Sequence, residues 1–386
     1  MIRTALTMLV GDKAKFFGIV CGLSFAALLM TQQGAIFVGV MALVYGHVSD
    51  TPQAEIWVSD PGLTDLDTND LINERELDNV RSVTGVRWAV PLLRRIVYSR
   101  RPNNSLSPIM VMGVDDATGL GFPLESSMVA GSLDALRHDG TVVIDEHAAK
   151  TKLRVKLPDG TSRPLTIGDQ MTMNGRGVEV VGLCRSTLAL FLYPTAYMMR
   201  SQLSTIDTGS DRSFNFILVG ADADADTDAV CAKVNEATGL IARNRRDFSQ
   251  FIYEFYLYET GLAPNFAIAV ILGFIVGAAI AGQTFSQYVS DNRRVFASLK
   301  AMGMRNAGLM KILLIQAFFT AMIGLGLGVG GAVCFGWLLD GTDLSFRLEP
   351  SLLAISFMAV MLISIAAALV SLRSLLRLDP ALVFRS

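Results

Sequence analysis

Charged side chains are spread unevenly along this chain of 386 residues. Four stretches carry none: Phe16 to Ser49, Thr260 to Ser290, Ile312 to Leu339 and Pro350 to Leu372. An ionised side chain at a bilayer centre costs several kcal/mol, so uncharged apolar stretches of this kind mark membrane spans. All four exceed the ~20 residues a helix needs to cross ~30 Å of hydrocarbon at ~1.5 Å per residue. The first is longer than a crossing requires. Its helix is expected to continue past Gly39 into water, with Tyr45, Gly46 and His47 at its far end, as a candidate stalk. A cleaved signal peptide flanked by Lys13 and Lys15 is the alternative, but the apolar region of such peptides is only ~7–15 residues long and no small-x-small site follows here.

Between the first and second stretches the pattern changes to short β-type runs. AEIWVSD (Ala54 to Asp60) reads as a strand, followed by a Pro-Gly turn and a polar helix from Asn73 to Val83. VRWAVPLL, PIMVMGVD, GTVVID and GVEVVGLC follow, then the strand Phe214 to Ala221 and a helix from Asp226 to Thr238. The strand-then-helix order recurs at 54–83 and 214–238, flanking an inserted subdomain at about 101–213. Segment 50–259 is large enough for a sizeable core of its own. The predicted fold class is therefore an α-helical membrane protein with four transmembrane helices plus a large α+β extracytoplasmic domain inserted between helices 1 and 2. Phe248, Phe251, Ile252, Phe255 and Tyr258 recur at helical spacing just before the second span. They fit either an interfacial aromatic belt or a helix that pairs with the long end of the first span.

Lysine and arginine set the expected orientation. Arg3, Lys13 and Lys15 precede the first span; Arg293, Arg294, Lys300, Arg305 and Lys311 lie between the second and third; Arg373, Arg377 and Arg385 follow the fourth. The turn between the third and fourth spans holds only Arg347. The positive-inside bias then puts both termini in the cytoplasm and 50–259 outside. The expected segments are an amphipathic cytoplasmic helix at 1–15, the first span and stalk at 16–49, spans at 260–290, 312–339 and 350–372, a cytoplasmic coupling helix at 291–311, an external turn at 340–349 and a cytoplasmic tail at 373–386. At the N-terminus Ile2, Ala5, Leu6, Leu9 and Val10 share a face from which Arg3, Thr4 and Thr7 are absent, as in a helix lying on the inner leaflet. In 291–311, Val295, Leu299 and Met302 oppose Arg294 and Lys300, and Phe296, Leu299, Met302 and Met304 are too apolar to leave in water.

Candidate chemistry thins out on inspection. Net charge is −2 with no basic patch, which sets nucleic acid aside. Gly326, Gly328 and Gly331 satisfy G-x-G-x-x-G inside an uncharged span with no preceding strand. The same region gives the close-packing spacings Gly324/Gly328 and Gly326/Gly330, and Gly273/Gly277/Ala281 repeats them in the second span. Asp222, Asp224, Asp226 and Asp228 lack the glycine and final glutamate of a calcium loop. His138 and His147 have no metal-ligand spacing, and no catalytic, cofactor or metal set is read. Cys184 and Cys231 are open to a disulfide or to buried thiols. The chain contains no G-x-x-x-x-G-K-[ST] sequence, so ATP binding by that route is excluded.

The inside segment carries the most specific pattern. Arg293, Arg294 and the run Leu299-Lys300-Ala301-Met302-Gly303, with the tail Arg377-Leu378-Asp379-Pro380-Ala381, resemble the FtsX/MacB-type permeases of ABC transporters, the mechanotransmission type. The family's Glu-Ile-Gly before that leucine is absent; Val295, Phe296 and Ala297 stand there. With Phe296 to Gly303 and Ile56 to Gly62, this looks closer to the DevC branch. The resemblance implies a non-catalytic permease subunit of the bacterial inner membrane that exports a lipid-like or other hydrophobic substrate. It implies a separate cytoplasmic ABC ATPase, coupled through Arg293, Arg294, Phe296, Leu299, Lys300, Met302 and Gly303. It also implies a second permease copy, a periplasmic adaptor of the membrane-fusion type and an outer-membrane channel. An FtsX-like regulator that controls an extracytoplasmic partner without transport is the alternative, and a membrane sensor is weaker because no signalling module lies inside.

Overall fold

The computed structural model describes residues 2–64, 72–101, 105–157, 160–187, 193–207, 213–339, 342 and 344–376. The chain divides into two compact units, Met1–Val40 with Gly261–Ser386, and Met41–Thr260. Its helices include α1 (Ile2–Gly11), α2 (Lys13–Val44), α3 (Gly46–Asp50), α4 (Glu74–Arg81), α5 (Thr227–Thr238) and α6 (Arg245–Tyr258). They continue with α7 (Leu262–Asp291), α8 (Arg293–Ala301), α9 (Asn306–Leu338) and α10 (Pro350–Leu376). Ten strands form the main sheet: β1 (Ile56–Ser59), β2 (Val86–Arg100), β3 (Leu106–Val114), β4 (Met128–Gly131) and β5 (Thr141–Asp145), then β6 (Gln170–Met173), β7 (Arg176–Cys184), β8 (Thr195–Met199), β9 (Phe216–Ala221) and β10 (Ile241–Asn244).

In the first unit α2, α7, α9 and α10 are long and apolar enough to cross a membrane. Apolar side chains gain little by leaving lipid for a protein interior, so close packing and interhelical hydrogen bonds hold such bundles. Both are present. A Cβ placed on Gly328 would lie 2.6 Å from the Ser24 carbonyl oxygen and 2.8 Å from the Leu28 nitrogen, so α9 touches the backbone of α2. A Cβ on Gly324 would lie 2.7 Å from the Leu23 Cβ and 3.3 Å from the Ser24 nitrogen. On α7 a narrow buried stripe runs through Gly273, Gly277, Ala281, Phe285 and Tyr288, and its glycines lie against α2, Gly273 at Leu29 and Gly277 at Ala26. Gly330 has no such role, since nothing lies within 4 Å of its added Cβ, and the same holds for Gly326. Two residues on from 328 is about 200° around a 3.6-residue helix, so these glycines sit on the opposite face. The Thr31 hydroxyl donates to Ser356 Oγ at 3.1 Å and the Ser364 hydroxyl to the Ala317 carbonyl at 2.8 Å, fastening α10 to α2 and α9.

The second unit is α+β. Its strands β1, β2, β9 and β10 with α4 and α5 follow a βαββαβ order, and the sheet order β10-β1-β9-β2 is antiparallel throughout. This is the split-βαβ, ferredoxin-like arrangement, and it explains why strand-then-helix recurs at the two ends of the segment. Trp57 of β1 stacks on Phe248 of α6 with ring centroids 5.1 Å apart, and Phe216 closes the cluster edge-on. Phe248, Ile252 and Tyr256 form the buried face of α6, whereas Tyr258 is exposed and lies off it. Asp226 caps α5 by accepting from the Asp228 amide, and Gly239 ends that helix at φ +72°.

Strand β2 joins this layer to the inserted segment. Residues 86–92 pair with β9, and residues 93–100 pair with β3. Pro91, which has no N–H to give to a ladder, sits near that change of partner. From β3 the pairing passes through β8, β5, β7 and β6 and returns to β2 at Ser99 and Arg100, so six strands close into a ring. Both halves share one apolar cluster, from Ile56 and Val58 through Val97, Ile109, Val142 and Val180 to Ala242. Cys184 and Cys231 are buried free thiols rather than a disulfide; burial raises both, Cys231 to about 12.

Helix α3 is anchored within the second unit. Asp50 accepts hydrogen bonds from the Thr187 amide at 2.6 Å and the Thr187 hydroxyl at 2.8 Å, and Gly46 leaves room for the Thr187 side chain. Burial raises the Asp50 carboxyl, with Asp145 nearby adding to the shift. His47 is buried, and neither ring nitrogen has a hydrogen-bond partner among the described residues. Burial and, secondarily, the charge on Arg94 lower its pKa to about 3, so it is neutral at pH 7.

Candidate functional site

The sequence signal is concentrated at the basic end of the first unit, where α1 meets α2 and α7 meets α8. Helix α8 follows α7 after a single residue, Asn292. The Asn292 side-chain amide donates to the Tyr288 carbonyl at 2.9 Å, while its own carbonyl accepts from Val295 and Phe296. At the other end Gly303 takes φ +92°, a conformation that favours glycine, and the Met304 amide returns to the Leu299 carbonyl at 3.1 Å. The glycine of the Leu299–Gly303 run therefore makes the turn into α9.

The expected apolar face of α8 is corrected by the structure. Phe296 is fully buried in the bundle's own apolar cluster with Ala297 beside it, Leu299 is half-buried, and Met302 is 75% exposed. Residues at i, i+3 and i+6 drift about 60° per step on a 3.6-residue helix, so Phe296 and Met302 stand about 120° apart. Phe296 therefore packs the bundle and is unavailable to a partner. Val295, Arg293 and Arg294 are exposed, with Arg293 donating to Ser290 Oγ at 3.2 Å. Lys300 is half-buried. Beside them lies a cleft of about 480 Å³ lined by Leu299, Met302, Gly303, Met304, Arg305 and Lys311. What remains available is an apolar notch with a cationic border.

Helix α1 also departs from the expected surface helix. Ala5 and Leu9 are fully buried in the bundle cluster, whereas Val10 is 47% exposed and does not share their face. The Gln316 side-chain amide of α9 donates to the Ala5 carbonyl at 2.8 Å and to the Tyr288 hydroxyl at 2.9 Å, holding α1 against α7 and α9. Sequence reasoning missed this contact and a second one: Lys15 Nζ lies 2.6 Å from Asp12 Oδ2 and 2.6 Å from Asp291 Oδ2. A signal was there, because Asp12 and Asp291 are the sole acids in 1–15 and 291–311.

No group of three or more His, Cys, Asp or Glu side chains that could hold a metal occurs among the described residues. The closing Arg377 to Ala381 run lies outside them.

A family model described as the MacB-like periplasmic core domain matches residues 16–237, and one described as the FtsX-like permease C-terminal matches residues 267–380. Among solved structures, the chain is similar to the periplasmic region of MacB from Actinobacillus actinomycetemcomitans, at 14% identity over 52% of this chain and 93% of that one, with a TM-score of 0.38. It is also similar to the extracellular domain of the noncanonic ABC-type transporter YknZ from Gram-positive bacteria, at 16% identity over 50% of this chain and 100% of that one, with a TM-score of 0.36. One model covers more than half of the sequence and the other covers α7 to α10, so the chain belongs to the FtsX/MacB-type family of ABC transporter permeases.

Proposed function

We propose that this chain is the non-catalytic membrane subunit of an exporter, driven by a separate ABC ATPase that docks on α8 from the cytoplasm. The observation that carries the reading is the notch at α8: exposed Met302 and half-buried Leu299 bordered by Arg305 and Lys311, with Arg293 and Arg294 exposed at the start of the same helix. Amphipathic helices commonly dock by seating apolar anchors in a groove, with charges at the rim. Movement imposed there would pass along α2, which runs from Lys13 to Val44, to α3 and the extracytoplasmic domain. Two permease copies would operate together, with a periplasmic adaptor and an outer-membrane channel as further partners. The DevC-like runs Ile56 to Gly62 and Phe296 to Gly303 favour a lipid-like or other hydrophobic substrate.

The test is recovery of the ATPase with the full-length chain from native membranes. Truncating a central anchor often costs ~2 kcal/mol or more, whereas rim charges mainly alter on-rate and salt dependence. Met302→Asp and Leu299→Asp are expected to abolish ATPase recovery, and Arg293→Ala to weaken it in a salt-dependent way. Unchanged recovery and unchanged ATP hydrolysis in both aspartate variants overturn the docking site. Orientation has its own check in intact cells carrying a chain stripped of native cysteines. An impermeant thiol reagent should label Asp134→Cys and spare Asn306→Cys; the reverse pattern puts α8 on the wrong side of the membrane for a cytoplasmic ATPase.

A further inference from the structure

The two corners that lead to α1 and α8 are tied to the foot of α2 by charges that the docking surface does not use. A lysine in the first turn of a membrane helix ordinarily faces phosphate headgroups or water. Lys15 instead spends its ammonium on two carboxylates of its own chain, Asp12 at 2.6 Å and Asp291 at 2.6 Å. Asp12 sits in the corner between α1 and α2; Asp291 is the last residue of α7, separated from α8 by Asn292 alone. Lys15 is 22% exposed, Asp12 25% and Asp291 62%. The other side of the same joint is held by the Gln316 amide, which grips the Tyr288 hydroxyl and the Ala5 carbonyl with no exposure to solvent.

We infer that Lys15 is a positioning residue that pins the last residue of α7 to the first turn of α2, so that the corner from which α8 springs cannot shift without moving α2. The joint explains the choice of residues. A one-residue link leaves α8 a single pair of soft backbone dihedrals about which to swing, and the burial of Phe296 constrains only its inward side. The ion pair fixes Asp291, the residue from which that link starts. It reaches α2, the long first span, Lys13–Val44. The role of this lock in passing force rests on α8 being the docking helix; the lock itself does not.

Hydrogen exchange of the full-length chain in lipid nanodiscs tests the lock without any partner. Lys15→Met is expected to speed exchange of the α8 amides roughly two- to fivefold, the effect of losing one partly exposed ion pair. Asp291→Asn should do the same, the double variant should be no faster than either single one, and Lys15→Arg should restore protection. Asp12→Asn, which leaves the Lys15–Asp291 pair intact, should leave α8 unchanged. Unchanged α8 exchange in Lys15→Met, additive effects in the double variant, or equal loosening by Asp12→Asn each overturn the proposal, the last by showing a general loss of structure. Failure of the docking reading appears elsewhere, as loss of ATPase recovery with the exchange pattern intact.

Discussion

The two units of this protein solve the same packing problem in different solvents. In the extracytoplasmic domain the buried set is led by valine, with isoleucine, leucine and alanine, closed around the sheet, and has aromatic anchors such as Trp57 on Phe248. Water drives that burial, so large side chains serve best. In the membrane unit helices approach closely at small residues: Gly324 and Gly328 on α9, and Gly273 and Gly277 on α7. Lipid does not push those helices together, and dispersion over closely matched surfaces with a few hydrogen bonds must do so. A substitution of given size should therefore have opposite meaning in the two units: removing volume harms one, adding it harms the other.

Three experiments sharpen or break that contrast. The largest effect is expected from Trp57→Ala, which removes the centre of the Trp57, Phe216 and Phe248 cluster. Comparable truncations cost about 3–5 kcal/mol, and the loss should appear as faster limited proteolysis within 50–260 of the full-length chain. Next comes Gly328→Val. Its added atoms meet the backbone of α2, which cannot yield as a flexible side chain does, so a cost of about 3 kcal/mol at the upper end of overpacking effects is expected. Gly330→Val, with nothing within 4 Å, should be near neutral in the same detergent-unfolding assay. Equal effects of the two valines would mean that glycine packing does not hold the bundle.

The smallest effect depends on pH and concerns His47. Its pKa falls from 6.5 to about 3 in the fold. The unfolded chain therefore takes up the proton first, and stability that is complete above pH 6.5 is lost as pH falls toward 3. At about 1.4 kcal/mol per pH unit below 6.5, the domain should be about 2 kcal/mol weaker at pH 5. His47→Leu should remove that slope in thermal unfolding of the full-length chain followed from pH 7 to 5. An unaltered slope would assign the acid sensitivity to other groups.

Much of this architecture was legible because charge is prohibitive inside a bilayer. The four spans and the α+β domain between the first two follow from where charge is missing and where β-type runs begin. The second half of β2 was hidden for the complementary reason: Arg94 and Arg95 interrupt the apolar run, yet the strand continues through them. Arg95 is satisfied by Asp207 at 2.7 Å and by Asn215, and Arg94 is buried, so tertiary partners make the strand possible. The ring's closing strand, β6, pairs with β2 only at Ser99 and Arg100, too briefly to announce itself in the sequence. At the basic end, residue types singled out α8 but not which of its faces is buried. Neither the burial of Phe296 nor the pairing of Lys15 with Asp291 follows from local spacing, since each depends on which helix stands alongside.

The strand order β10-β1-β9-β2 also has a consequence for biosynthesis. β1 is made first, yet its two neighbours in the sheet, β9 and β10, are made last. Between Ser59 and Phe216 the ribosome adds the whole closed ring, which at about 5–20 residues per second takes on the order of 10 s. Throughout that interval Ile56, Trp57, Val58 and Ser59, all buried in the finished domain, have no ladder to join. Such long-range pairing folds slowly and leaves apolar strands open to wrong partners. The ring can close on β2 beforehand, so the nascent domain passes through a stage with a finished insert and an unfinished frame. Whatever receives the chain as it emerges must shield that one tetrapeptide until residue 244 arrives.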